Sequence, residues 1–169
     1  EHTTTEIAKT MQINAHAPMQ VTLAFLDKML QQNAGHICNI ASSGGLIANP
    51  KMSVYVASKW SVIGWSDSLR LELEQQQKNI NVTTIMPYYI NTGMFDGVKS
   101  KLPILEPEAA ALTIVKAIEK NKKMVTIPGY IYRVTRLAQA LFPIDFFDWF
   151  ANDVLGIYKT MEHFTGRKK

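Results

Sequence analysis

One cysteine, Cys38, is the whole thiol inventory of this 169-residue chain, so no internal disulfide holds it together. Its place inside an apolar run predicts a packed thiol in a reducing compartment. The four histidines, His2, His16, His36 and His163, lack metal-ligand spacing and have no acidic cluster beside them, so we expect no resident metal. No apolar stretch reaches the roughly eighteen residues a membrane-crossing helix requires, and the chain does not open as a signal peptide. Charge is also scarce. A net charge of +4, spread out except for the closing run "GRKK", gives no nucleic-acid footprint. What remains, 47% hydrophobic and 19% charged residues, is the composition of a folded globular protein.

The opening "EHTTTEIAKTM" has no methionine, and Thr3 followed by Glu6 reads as a capping box, so we expect a chain cut from a longer one, at the entrance to a helix. Residues 5–32 then read as that helix, with Ile7, Met11, Ala15, Leu23, Leu26 and Leu30 at helical intervals and Gly35 as the stop. Pro18 interrupts it. Proline has no amide hydrogen and crowds the carbonyl four residues back, which belongs to Asn14. "HICNIAS" is short and apolar and ends in small residues, as a strand buried on both faces does. Residues 53–77 form a long helix, with Trp60, Ile63, Leu69, Leu71 and Leu73 available to pack; "NINVTTIMP" is a second strand, "PEAAALTIVKAIEKN" a helix with Pro107 in its first turn, and "KMVTIPG" a third strand. Strand, helix, strand, helix, strand predicts an α/β fold with a parallel sheet.

The chemistry lies in "SVYVASKW". Tyr55 and Lys59 stand four apart, on one face of the long helix, where a cation can lower the pKa of a phenol and make it an acid or base near neutral pH. Ser42 lies thirteen residues before the tyrosine, at the carboxyl end of the first strand, the edge where open α/β sheets bind ligands. In that order these residues resemble the short-chain dehydrogenase/reductase family, whose Tyr-x-x-x-Lys would be Tyr55 to Lys59. Asn14 in "MQINAHAP", "GHICNIASSGG" and "INVTTIMPYYINTGMF" are similar to further stretches of the family, so the match covers nearly the whole chain. The family's spacing fits Ser42 and leaves Ser43 one residue too close to Tyr55.

The resemblance implies the C-terminal half of a Rossmann-like, doubly wound parallel sheet, in residues 1–129, followed by an aromatic-rich helical extension, residues 130–169. It implies NAD or NADP as cofactor, Asn14, Ser42, Tyr55 and Lys59 as catalytic residues, and Ser42 as the grip on the substrate oxygen. Tyr55, Lys59, Pro87, Ile90 and Thr92 would hold the nicotinamide side. Tyr88 departs from the family, which usually has glycine there. The glycine-rich phosphate turn is absent: Gly93 and Gly97 follow Pro87 in a loop, with Lys99 where a third glycine belongs. NAD and NADP are therefore not distinguished. Within the family, "ASSGGL", "NTGMF" and the aromatic tail are most similar to the membrane-associated retinol and 17β-hydroxysteroid dehydrogenases. That likeness implies a hydrophobic alcohol or ketone as substrate, a homo-oligomer, and a place on the cytoplasmic face of the endoplasmic reticulum or on a lipid droplet. The alternative is a truncated, non-catalytic chain that serves as an oligomerising or lipid-surface module.

From Tyr130 to Met161 aromatic residues are dense but broken by Pro143, Asp145, Asp148 and Asp153, a pattern unable to cross a bilayer. Three uses stay open: lying on a lipid surface, covering the cleft, or packing on a second subunit. Ile47, Met94 and Phe95 are expected beside it in an apolar cleft wall.

Overall fold

A computed structural model describes residues 2–166; Arg167, Lys168 and Lys169 of the basic closing run lie outside the described residues. Thr3 caps the first helix as its sequence predicts: its hydroxyl accepts from the Glu6 amide at 3.2 Å, and the Glu6 carboxylate accepts from the Thr3 amide at 2.8 Å. Helix α1, Thr4–Met11, runs through a π-helical turn, Gln12–His16, into α2, Ala17–Gln32. In that turn the Ala17 amide bonds to the Gln12 carbonyl, five residues back instead of four. Pro18 explains the widening, because a ring without an N–H cannot continue the normal ladder at Asn14.

Helix α2 ends at Gln32, where the sequence places it, but a different residue makes the stop. Asn33 takes the left-handed conformation, φ 46°, and the amides of Asn33 and Ala34 close the helix on the carbonyls of Leu30 and Met29. Asparagine tolerates that region, so it replaces the expected glycine stop. Gly35 has another task. It opens β1, Gly35–Ile40, where an added Cβ would lie 2.7 Å from the Met29 sulfur.

Strands β1, β2 (Ile80–Pro87) and β3 (Met124–Ile127) pair in parallel in the order β1-β2-β3, with Gly35 opposite Ile80 and Pro87 opposite Ile127. Helix α3, Ser53–Gln75, connects the first two strands and α4, Pro107–Glu119, the last two. Ile37, Leu69, Leu73, Ile80 and Val82 form a core on the α3 side, joined by Leu26 and Leu30 of α2. Ile85, Ala117 and Ile127 form another with Ile114 of α4, so helices cover both faces. The central strand is sealed, with Ile85 and Met86 at 0% exposure.

Strand β1 differs from the expectation of burial on both faces, since Ile40 at its end is 48% exposed. Among the described residues its outer edge has no partner strand, so nothing shields that side. Four side chains expected to pack are exposed as well: Ile7, Leu23, Trp60 and Leu71. The π-turn inserts a residue and rotates the stripe of α1 relative to that of α2. On α3 the buried face follows Val56, Ile63, Leu69 and Leu73, which leaves Trp60 and Leu71 on the far side.

Beyond β3 come α5, Ile131–Leu141, α6, Ile144–Trp149, a second π-helical turn, Phe150–Val154, and a short 3-10 turn, Ile157–Lys159. Side chains fasten this segment to the sheet end: Gln139 donates to the Leu46 carbonyl at 2.9 Å, and Asn49 donates to the Thr160 hydroxyl at 3.1 Å. No helix among the described residues is long and apolar enough to cross a membrane.

Leu73 and Leu71 offer a direct test, being of one residue type on one helix with opposite environments. Leu73→Ala is expected to cost about 2–5 kcal/mol in urea unfolding, whereas Leu71→Ala stays within about 0.5 kcal/mol of the parent.

Candidate active site

Chain direction places the site. All three strands run the same way, so the turn after β1 and the loop after β2 emerge on one edge, above the first turns of α3. Ser42 ends the stretch from β1 in extended backbone, and its hydroxyl accepts from the Gly44 amide at 3.1 Å. At Gly44 an added Cβ would make only ordinary contacts, 3.5 Å from the Ser42 oxygen and 3.7 Å from the Tyr55 ring. At Gly45 a Cβ would meet the Lys59 backbone at 3.0 Å and Ile63 at 2.5 Å. The turn and α3 therefore touch through main chain.

The Ser42 hydroxyl lies close enough to the Tyr55 phenol to act on its ionisation. The Lys59 ammonium lies over the Tyr55 ring, 5.8 Å from its centroid, and donates to the Ile40 carbonyl at 3.1 Å. Asn14 reaches the same helix from the π-turn, its amide donating to the Ser58 hydroxyl at 3.2 Å. Pro87 ends β2 and is buried; Ile90 and Thr92 follow in the loop, where the Thr92 amide bonds to the Ile90 carbonyl and Ile90 bridges to Leu105. Asn14, Ser42, Tyr55, Lys59, Pro87, Ile90 and Thr92 all line one cavity of about 890 Å³. Its walls are mostly apolar and include Ile47, Met94 and Phe95, as well as Ile131, Phe147 and Phe150 from the C-terminal segment. Part of that segment thus covers the cleft, one of the three uses left open by sequence.

The electrostatics correct one expectation. Burial pushes the Tyr55 phenol above its ordinary pKa, and the Ser42 hydroxyl only partly opposes it. The cation was expected to bring that pKa down. Lys59, however, gives its hydrogen bond to the Ile40 carbonyl, and burial depresses its own pKa too, because desolvation weakens any charged form. Tyr88, the residue that departs from the family, also lines the cavity; its hydroxyl is 2.8 Å from the Ser100 hydroxyl and its ring meets Tyr89 edge-on at 4.7 Å. Burial raises its pKa to about 12.

Three contributors were not read from the sequence. Ser58 links Asn14 to α3, Gln139 ties α5 to the turn after Leu46, and Tyr89 shares the Thr160 hydroxyl at 3.1 Å. Ser58 alone had a signal, as a small residue three positions after Tyr55 on the inner face of a helix. Among the described residues no group of His, Cys, Asp and Glu can hold a metal ion. His16 bonds Gln20 on the exposed side of its turn, and Glu74 pairs with Arg70 and Lys123 at the surface.

A parallel sheet with helices on both faces, its candidate site at the carboxyl edge of the strands, is the doubly wound α/β class of fold. The particular family follows from direct comparison. The profile described as "short chain dehydrogenase" matches residues 1–103, and the chain belongs to that family. Epidermal retinol dehydrogenase 2 of Mus musculus is 37% identical over 166 residues, covering 95% of this chain and 53% of that protein. The short-chain dehydrogenase from Sphingobium yanoikuyae in complex with NADPH superposes with a TM-score of 0.70 at 24% identity, over 82% of this chain and 56% of that one. A short chain dehydrogenase/reductase from Burkholderia phymatum in complex with NAD gives 0.70 at 19% identity, over 82% and 59%. These two structures share the fold. The chain spans about half the length of the curated relatives it matches.

A phenol whose folded pKa lies above its unfolded value favours the native state at neutral pH, and that contribution is lost as pH rises past about 10. We therefore expect the alkaline loss of stability to be shallower in Tyr55→Phe than in the parent, as read by unfolding midpoints measured at increasing pH.

Proposed function

We propose that these residues form the substrate and proton-transfer side of an NAD(P)-dependent oxidoreductase acting on the CH–OH group of a hydrophobic alcohol or ketone. One observation carries the reading: Ser42, Tyr55 and Lys59 meet at the wall of a mostly apolar cavity, with the ammonium over the phenol ring. The residues present suit the nicotinamide end of such a cofactor, since Tyr55, Lys59, Pro87, Ile90 and Thr92 share that cavity. When bound, NAD or NADP supplies or accepts the hydride. Ser42 fixes the substrate oxygen. Tyr55 gives that oxygen a proton in reduction, the role burial favours by holding the phenol protonated; in oxidation it takes the proton as phenolate, the form burial disfavours. Lys59 holds positive charge beside the ring, and Asn14 joins the path by which the proton is exchanged. The apolar walls, and the likeness to a retinol dehydrogenase, favour a retinoid, steroid or long-chain alcohol.

In the full-length protein, Tyr55→Phe is expected to lower kcat by a factor of about 10²–10⁴ while the circular dichroism spectrum stays unchanged. Undiminished turnover would exclude the mechanism. A full-length parent with no turnover on any of these alcohols would favour the second reading, a non-catalytic module. That reading draws on the open edge of β1 and on the exposed Ile13, Val21 and Phe25 beside it.

Lipid association belongs to the same proposal. Leu137, Leu141, Ile144 and Trp149 of α5 and α6 are 52–73% exposed, with Arg133 and Arg136 exposed on the same helix as the two leucines. That suits an apolar face at an interface with guanidinium groups near headgroups, on the endoplasmic reticulum or a lipid droplet. Val21 and Phe25 of α2, four residues apart, offer a separate face for a homo-oligomer. Replacing Ile144 and Trp149 together by Glu is expected to reduce flotation with phosphatidylcholine/phosphatidylserine vesicles several-fold, and an unchanged floating fraction counts against the interfacial role.

A further inference from the structure

Ser58 has no exposed surface, and it precedes Lys59 on α3. Its hydroxyl donates to the Tyr55 carbonyl at 2.6 Å and accepts from the Asn14 amide at 3.2 Å, a bond that spans 44 positions of sequence. One hydroxyl has one hydrogen and two lone pairs, so these two bonds are mutually consistent and fix its rotamer. The Asn14 side chain is held by that acceptor. Its main-chain carbonyl is the one that Pro18, lacking an N–H, cannot serve as a helix donor.

Asn14 and Lys59 also share a second cavity of about 530 Å³, which runs between α2 and β1 past Pro18, Thr22 and Ile37. Both residues therefore stand at the junction of the catalytic cavity and a second, more open one. The π-turn bends Asn14 into that place, and Ser58 keeps it there.

We infer that Ser58 is a positioning residue: through its bond to Asn14 it sets the π-turn against the helix that carries Tyr55 and Lys59, and so aligns the path by which protons pass between the two cavities. The inference rests on the oxidoreductase reading for its catalytic consequence, but the tether itself does not. Removing the hydroxyl costs no volume the core needs, since alanine suits a buried helix position. What is lost is the acceptor for Asn14. The turn then shifts relative to α3, and a small misplacement of a proton path slows turnover more than it weakens substrate binding.

The test uses the full-length protein with Ser58→Ala, Asn14→Ala and the double variant. Ser58→Ala is expected to lower kcat about tenfold with the substrate KM within about twofold, and the double variant to be no slower than the slower single, because both break one link. Imidazole, a small proton carrier, should restore part of the lost rate in both single variants and leave the parent unchanged. Additive losses, or a loss indifferent to imidazole, would overturn the catalytic part. Amide hydrogen exchange gives an independent reading of the tether: it should quicken over residues 12–17 in Ser58→Ala, and unchanged exchange there overturns the inference whatever the turnover. A parent without turnover would instead defeat the oxidoreductase reading and leave exchange to decide the tether. Should Ser58→Ala fold poorly, Ser58→Cys takes its place, being of similar size with a weaker acceptor, and the same outcomes apply.

Discussion

Main-chain contact between the Gly44–Gly45 turn and the first turns of α3 is the constraint on which the site depends. A methyl at Gly45 would lie 3.0 Å from the Lys59 backbone and 2.5 Å from the end of Ile63, so a hydrogen side chain lets the turn approach this closely without displacing either. It brings the end of β1, with Ser42, against the helix surface that carries Tyr55. Interiors packed this closely do not deform smoothly, and the placement of Ser42 beside Tyr55 inherits that stiffness. On the other side of α3, Ser58 and Asn14 make the complementary clamp with hydrogen bonds in place of close packing.

The two clamps act on a helix anchored by the core. Leu69 and Leu73 hold the far end of α3 to β1 and β2, while Ile63 and Val62 lie beneath the turn after β1 with Met86. Apolar burial thus fixes where the helix lies, and a few polar bonds fix how its functional residues are presented. The same division holds in the C-terminal segment, where Ile131 joins the core while Gln139 and Thr160 tie the cover of the cleft to the loops below. The price of the arrangement is a phenol and an ammonium both shifted toward their neutral forms, since desolvation opposes each charge.

Much of the fold was legible, because strand and helix periods are local. The three strands and the helices between them lie within a few residues of where the apolar patterns place them. Errors fell where a non-local fact intervened. Leu71 and Trp60 satisfy helical spacing but face away from the sheet, and no short stretch of sequence says which side of a long helix is covered. Gly35 suggested a helix stop, yet Asn33 took that part and freed the glycine to begin a strand under Met29. Of the site, the types and spacing of Ser42, Tyr55 and Lys59 were readable, but Ser58 and Gln139 were not, since each acts through one contact with a distant segment.

By itself the sequence determined the chemistry on offer: a phenol and an ammonium one helical turn apart, a serine at a strand end, and a proline that breaks the ladder at Asn14. These follow from residue identity and from the fixed geometry of helix and strand. Only the tertiary structure decided that burial raises the pKa of Tyr55, that Lys59 turns to the Ile40 carbonyl, and that Asn14 is tethered to α3 through Ser58. Desolvation and hydrogen-bond partners depend on what the rest of the chain places nearby, and local spacing carries no record of that.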